Sequence, residues 1–349
     1  MEVSVDNKHI LKPGMRAAAL AAAAMIMAAG FPVNAADEKK EQKDGGLKIV
    51  TMIFPEYDWV MNILGDNPGG AEVTMFLDKG IDIHSYQPSV DDILTINSCD
   101  MLIYGGGESG QWVKDTLEES SGSDAYVINL IETLGSDARE EETVEGMQEE
   151  SDPHEEEADA EKGEDAEDEV EYDEHVWLSL RNAGILVKAV SETLQKLDPD
   201  NAEAYKTNTE AYLEKLDSLD SEYEAVVADS SVKTLLFGDR FPFRYLTDDY
   251  GIDYYAAFAG CSAETEASFD TIIFLAQKAD ELELPAVITI DGSDKRIAET
   301  IVQNTKSKDQ KILTLDSMQS TDTEDIKNGI TYLSVMENNL KVLEEALNP

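Results

Sequence analysis

NAEAYKTNTEAYLEKLDSLDSEYEAVVAD, residues 201–229, is the stretch on which the fold turns. Tyr205, Tyr212, Leu216, Leu219, Tyr223 and Val226 recur at steps of three, four and seven, which lays them along one stripe of an α-helix. Taken as unbroken, about 29 residues at about 1.5 Å per residue span roughly 43 Å. That is more than one small domain needs and enough to join two.

The sequence on either side alternates in the same way. Before the helix, residues 47–54, 72–77, 101–104 and 126–130 are short apolar runs that read as strands. Residues 57–64, 89–98 and 110–119 carry apolar positions at helical spacing between them, and a further helix over 180–196 stops at Asp198 and Pro199. After it, strands are expected at 234–237, 254–258, 286–290 and 311–315, with helices at 268–282, 293–304 and 325–346. Strand and helix in alternation build parallel sheets. The expected fold is therefore α/β, with two similar lobes of parallel-rich sheet, residues 47–200 and 230–349, joined by the one long helix at 201–229 and leaving a cleft between them. Ligands of such sheets bind outside the carboxyl ends of the strands.

Composition narrows the function. Of 349 residues, 74 are acidic and 27 basic, a formal charge of −47 that repels nucleic acid and anionic membrane surfaces and favours cations. Residues 1–35 read as a secretory signal, with Arg16, an apolar run over 17–31 and small residues up to Ala35; a charged leader follows over 36–46. Residues 137–174 are so rich in glutamate and aspartate that a disordered loop is expected there, with His154 inside it. Two cysteines, Cys99 and Cys261, fall in different lobes; an exported protein could join them, and two separate thiols are the alternative. Gly105–Gly107 reads as a tight turn after a strand, and Trp59, Trp112 and Trp177 as packing residues.

Two histidines stand in ordered segments, His84 in Gly80-Ile81-Asp82-Ile83-His84-Ser85-Tyr86 and His175 in Asp173-Glu174-His175-Val176-Trp177-Leu178. Each lies in a short connection leading into a helix, on the side where a cleft ligand is expected. These two segments, the 260–268 run with Glu264 and Glu266, and the closing Leu313-Thr314-Leu315-Asp316-Ser317 with Tyr332-Leu333-Ser334-Val335-Met336 stand in an order that resembles the zinc and manganese binding proteins of ABC transporters. The resemblance runs from about Leu47 to the C-terminus, broken by the acidic loop.

The resemblance implies a metal held in the cleft by His84, His175, a residue in the 238–240 region and Asp316. Counting from Phe241 puts Gly238 in the third position, which has no side chain to offer, so Asp239 is the expected ligand, with His154, Glu264 and Glu266 as accessory groups. It also implies a monomeric, periplasmic carrier that hands its ion to an inner-membrane ABC permease and its ATPase. Imidazole with carboxylate suits zinc and is accepted by manganese, so zinc is the expected cargo and manganese the alternative. A zinc hydrolase would need an open coordination position and a general base, and no His-Glu-x-x-His motif is present. A surface adhesin or acidic metal buffer, with the loop as the working part, is the other rival.

Overall fold

The computed structural model describes residues 46–119, 124–148, 171–262 and 266–348. The expected signal, most of the leader, the middle of the acidic stretch with His154, and Glu264 lie outside the described residues. Among the described residues no helix is long and apolar enough to cross a membrane.

The N-terminal lobe holds β1 (Lys48–Thr51), β2 (Glu72–Met75), β3 (Met101–Tyr104) and β4 (Tyr126–Asn129), all parallel, in the order β2-β1-β3-β4. Ile49 faces Met101 and Val50 faces Leu102 across β1 and β3, and every residue of β3 is buried. That is the signature of a parallel strand covered on both faces. The cover comes from α1 (Phe54–Leu64), α2 (Val90–Ser98), α3 (Gln111–Glu119), α4 (Leu130–Leu134) and α5 (Leu180–Leu197). Pro55 sits at the head of α1, so the first strand stops short of the expected residue 54.

Next comes α6 (Ala202–Asp229), unbroken as its spacing predicts. Its buried stripe ends on Val227 and not Val226, since residues 216, 219, 223 and 227 follow the helical period more closely. Asn208 near its start donates to the Ile63 carbonyl of α1 at 3.0 Å, and Tyr212 reaches Asp58 of the same helix at 3.4 Å.

The second lobe comprises β5 (Thr234–Phe241), α7 (Arg244–Tyr250), β6 (Asp253–Ala259), α8 (Phe269–Glu281), β7 (Ala286–Ile290), α9 (Arg296–Asn304), β8 (Lys311–Leu315), α10 (Thr323–Lys327) and α11 (Tyr332–Leu347). Its sheet order, β6-β5-β7-β8, repeats that of the first lobe. Tyr223 of α6 donates to the Met336 carbonyl of α11 at 2.6 Å, so one helix is fastened to both lobes. The expected single helix over 325–346 is two, because Gly329 adopts φ +94° and breaks the run. β5 runs four residues past its expected end, with a register shift against β6 between Phe237 and Arg240.

The described arms of the acidic stretch are ordered, in contrast to the disorder expected over 137–174. Glu140 bridges Tyr172, Glu141 N donates to the Glu171 carbonyl at 2.9 Å, and Gln148 N donates to Ala257 of β6 at 2.9 Å. Their backbone groups are paired in spite of the acidic side chains, and the first arm lies against the second lobe.

Glu56 of α1 is fully buried, and its Oε2 accepts from Met52 N at 2.7 Å and Ile53 N at 3.4 Å, while Oε1 has no hydrogen-bond partner among the described residues. Burial pushes this carboxyl from its ordinary 4.5 up to about 8, against the pull of the two amides. A raised folded-state value stabilises below pH 4.5 and loses that contribution as pH rises through 8. Stability to urea should therefore fall progressively from about pH 4.5 to about pH 8 and level off above it, and Glu56→Gln should flatten that part of the profile.

Candidate metal centre

The loop after β2 turns at Gly80 and enters a short 3-10 turn, Ile83–Ser85, where Asp82 accepts from His84 N at 3.0 Å. The second histidine heads the 3-10 turn Val176–Leu178. Asp173 accepts from His175 N at 2.8 Å, and the same oxygen lies 3.0 Å from His175 Nδ1. A carboxylate at Nδ1 holds the proton there and leaves the Nε2 lone pair free for a metal. His84 Nε2 lies 3.3 Å from His175 Nε2. Two zinc–nitrogen bonds of about 2.0–2.1 Å at the tetrahedral angle put their nitrogens about 3.3–3.4 Å apart. The pair already has the spacing a tetrahedral ion requires.

A second carboxylate stands behind His84, Glu174 Oε2 at 4.0 Å from Nδ1. Ser109 N at 2.7 Å and the Ser109 hydroxyl hold Glu174 in place. The expected turn after β3 makes room for it: at Gly107, φ +67°, a Cβ would lie 2.4 Å from Glu174 Oε1.

The third donor is one that the sequence reading did not place in the site. Cys261 Sγ and the two imidazoles form a group whose ligand atoms all lie within 4.8 Å of one another. The loop after β6 brings it there because Gly260 is glycine; a Cβ on it would stand 2.8 Å from the Phe241 carbonyl and 3.1 Å from His175 Cε1. Arg240 of β5 ties the two ligand loops together. It donates to Asp82 Oδ2 at 2.6 Å and to the Ser262 carbonyl at 3.4 Å. Glu141, from the acidic arm, accepts from Cys261 N at 3.4 Å.

Electrostatics keep the His84 imidazole in the form a metal needs. Burial first, then the neighbouring His175 and Arg240, push His84 down to about 3 in spite of Asp82 and Asp173. The ring is neutral near pH 7, so no proton competes for its lone pair. Burial, with Asp173, Glu141 and Glu174 close by, pushes the Cys261 thiol well above its ordinary value. Burial raises Glu174 as well, whereas Arg240 outweighs burial at Asp82 and holds that carboxyl low.

The other expected ligands are not in the group whose donor atoms lie within 4.8 Å of one another. Asp239 lies within the extended β5, where its oxygens accept from Arg240 N at 3.0 Å and Ile290 N at 3.4 Å. Asp316 accepts from Met318 N at 2.8 Å, and burial with nearby Asp291 raises it to about 6. Glu266 is exposed ahead of α8. Cys99 and Cys261 are both free thiols, which settles the choice left open between a disulfide and two separate groups. The signal that could have found Cys261 is its place: it follows β6 on the carboxyl side of a parallel sheet, as His84 follows β2.

Two α/β lobes with a histidine pair and a thiol at their loops define a metal-binding protein of the cleft type. Residues 49–346 match the family model ZnuA, described as the zinc-uptake complex component A, periplasmic, and the chain belongs to that family. It is 30% identical over 308 residues to the zinc-binding lipoprotein AdcA of Streptococcus pneumoniae, a match that covers 88% of this chain and 57% of AdcA. It is 25% identical over 326 residues to the high-affinity zinc uptake system protein ZnuA of Bacillus subtilis, covering 93% and 95% of the two chains. The zinc-bound ZnuA-like domain of S. pneumoniae AdcA superimposes with a TM-score of 0.66 at 26% identity, over 87% of this chain and all of that one. The chain thus spans little more than half of AdcA.

Asp173→Ala should lower metal affinity about 10–100-fold, as loss of a carboxylate behind a ligating histidine does. Asp173→Asn, which keeps an acceptor but not the charge, should fall between. Competition against a chromophoric zinc chelator measures both, with far-ultraviolet circular dichroism unchanged.

Proposed function

We propose that this chain is an extracytoplasmic solute-binding protein that captures one zinc ion in the cleft and delivers it to an ABC importer. The observation that carries the reading is the Nε2–Nε2 distance of 3.3 Å between a buried and a partly buried imidazole, each backed by a carboxylate. His84 and His175 are the primary ligands. Membership of a zinc-uptake family supports capture rather than turnover, and the zinc named for AdcA and ZnuA supports zinc over manganese as cargo. The apolar segment at 17–31 supports export. An inner-membrane permease with its ATPase would take the ion from the cleft, and the carrier works as a monomer. Asp239 and Asp316 stand near the ends of β5 and β8 and serve the site as acidic groups of the second lobe.

Calorimetric titration of the metal-stripped protein with zinc should give tight, near one-to-one binding, lost in the His84→Ala/His175→Ala double variant. Unchanged binding in the variant, or many weak equivalents in both proteins, would move the function to the acidic stretch and sink this reading.

A further inference from the structure

We infer that Cys261 is a metal ligand, and that its thiolate makes the site discriminate against manganese. The inference rests on the cleft-capture reading and adds a donor and a selectivity to it.

The geometry assigns the role from several directions. The Cys261 sulfur lies within 4.8 Å of both histidine nitrogens, although it comes from the opposite lobe and a distant part of the chain. A zinc–sulfur bond of about 2.3 Å and a zinc–nitrogen bond of about 2.0–2.1 Å at the tetrahedral angle put sulfur about 3.6 Å from nitrogen. The observed group lies within about 1.2 Å of that distance, 4.8 Å at most against about 3.6 Å. The loop is built for the approach, since Gly260 lets its backbone lie on the His175 ring. Arg240 then pins the Ser262 carbonyl on one side of the cysteine and Asp82, two residues from His84, on the other. One guanidinium therefore sets the distance between the loop that carries the thiol and the loop that carries the first imidazole.

Cys99 provides the contrast within the same chain. It is buried in the first lobe, its Sγ donates to the Ile96 carbonyl at 3.1 Å, and it is in no group of metal-ligating side chains among the described residues. Cys261 faces the two imidazoles instead.

The donor set decides which ions fit. Two imidazoles with carboxylates serve zinc and manganese alike, but a thiolate is a soft ligand that suits zinc and other d10 ions, whereas manganese favours oxygen donors. As the metal–sulfur bond forms, the thiol proton leaves to water, and the ligand gains the negative charge that neutral imidazoles lack. The thiolate thereby specifies the site for zinc.

Cobalt(II) in place of zinc tests this on the full chain. Wild type should show a near-ultraviolet thiolate-to-cobalt charge-transfer band that Cys261→Ser abolishes and Cys99→Ser keeps. Zinc affinity should fall at least about 100-fold in Cys261→Ser, as for a lost ligand. Cys261→Asp should bind zinc again but let manganese compete at least about tenfold better than in wild type. If the serine variant does not fold, the band in wild type and the protection of Cys261 by zinc against alkylation, read by mass spectrometry, decide the matter alone. Cobalt bound without the band, alkylation of Cys261 unaffected by zinc, and zinc binding unchanged in Cys261→Ser would overturn the inference and leave capture by the histidines standing. Failure of wild type to bind zinc or cobalt at one equivalent would overturn both.

Discussion

A single α-helix fastened to both lobes sets the distance across which this protein works. Residues 202–229 bury Tyr205, Tyr212, Leu216, Leu219, Tyr223 and Val227, and the phenols of that stripe spend their hydroxyls on both sides. Tyr212 bonds to Asp58 of the first lobe and Tyr223 to the Met336 carbonyl of the second. Because a helix of this length bends little, the two sheets are held with their carboxyl ends toward a shared cleft. The main hydrophobic cluster runs through both lobes, with a smaller one beneath α8 and α9. Everything at the metal centre depends on that fixed span.

Within the cleft, charge is arranged in layers. The two imidazoles come first, then Asp173 and Glu174 behind them, then the Arg240–Asp82 pair that ties the lobes beside the site. Each layer answers the one before it. A buried imidazole needs an acceptor to fix its tautomer, a buried acceptor needs donors, and Ser109 supplies them to Glu174. The net charge of −47 lies outside this arrangement and acts at longer range, raising the local concentration of cations without choosing among them.

The fold was largely legible because its signals are local. The parallel strands are short runs of Val, Ile and Leu between helical spacings, and the stripe along α6 is visible as a period. The departures have local causes too, Pro55 ending the first strand early and Gly329 splitting the last helix. The site was legible only where a residue type announces itself. His84 and His175 are rare residues in suggestive places, and the structure brings them together. Cys261 was read as half of a disulfide question, because nothing in a linear sequence says that Gly260 lets its loop rest on an imidazole from the other lobe. β5 was expected to end at residue 237 and runs to Phe241, which sets Asp239 inside the strand with its oxygens accepting from Arg240 N and Ile290 N.

Trp177 ties the chelating pair to the far lobe. Its ring packs on His175 at 5.3 Å, its indole nitrogen donates to the Ser317 carbonyl at 2.9 Å, and its own carbonyl accepts from Tyr332 at 2.6 Å. The His84 loop is tied to the same lobe by other bonds, Arg240 to Asp82 at 2.6 Å and Thr323 N to the Asp78 carbonyl at 3.1 Å. A displacement of the second lobe would therefore reach the two imidazoles through different bonds, and so alter the bite of the pair. In the proposed carrier, departure of the ion would then be governed by a chelate that can be loosened from a distance, and not only by how wide the mouth of the cleft stands.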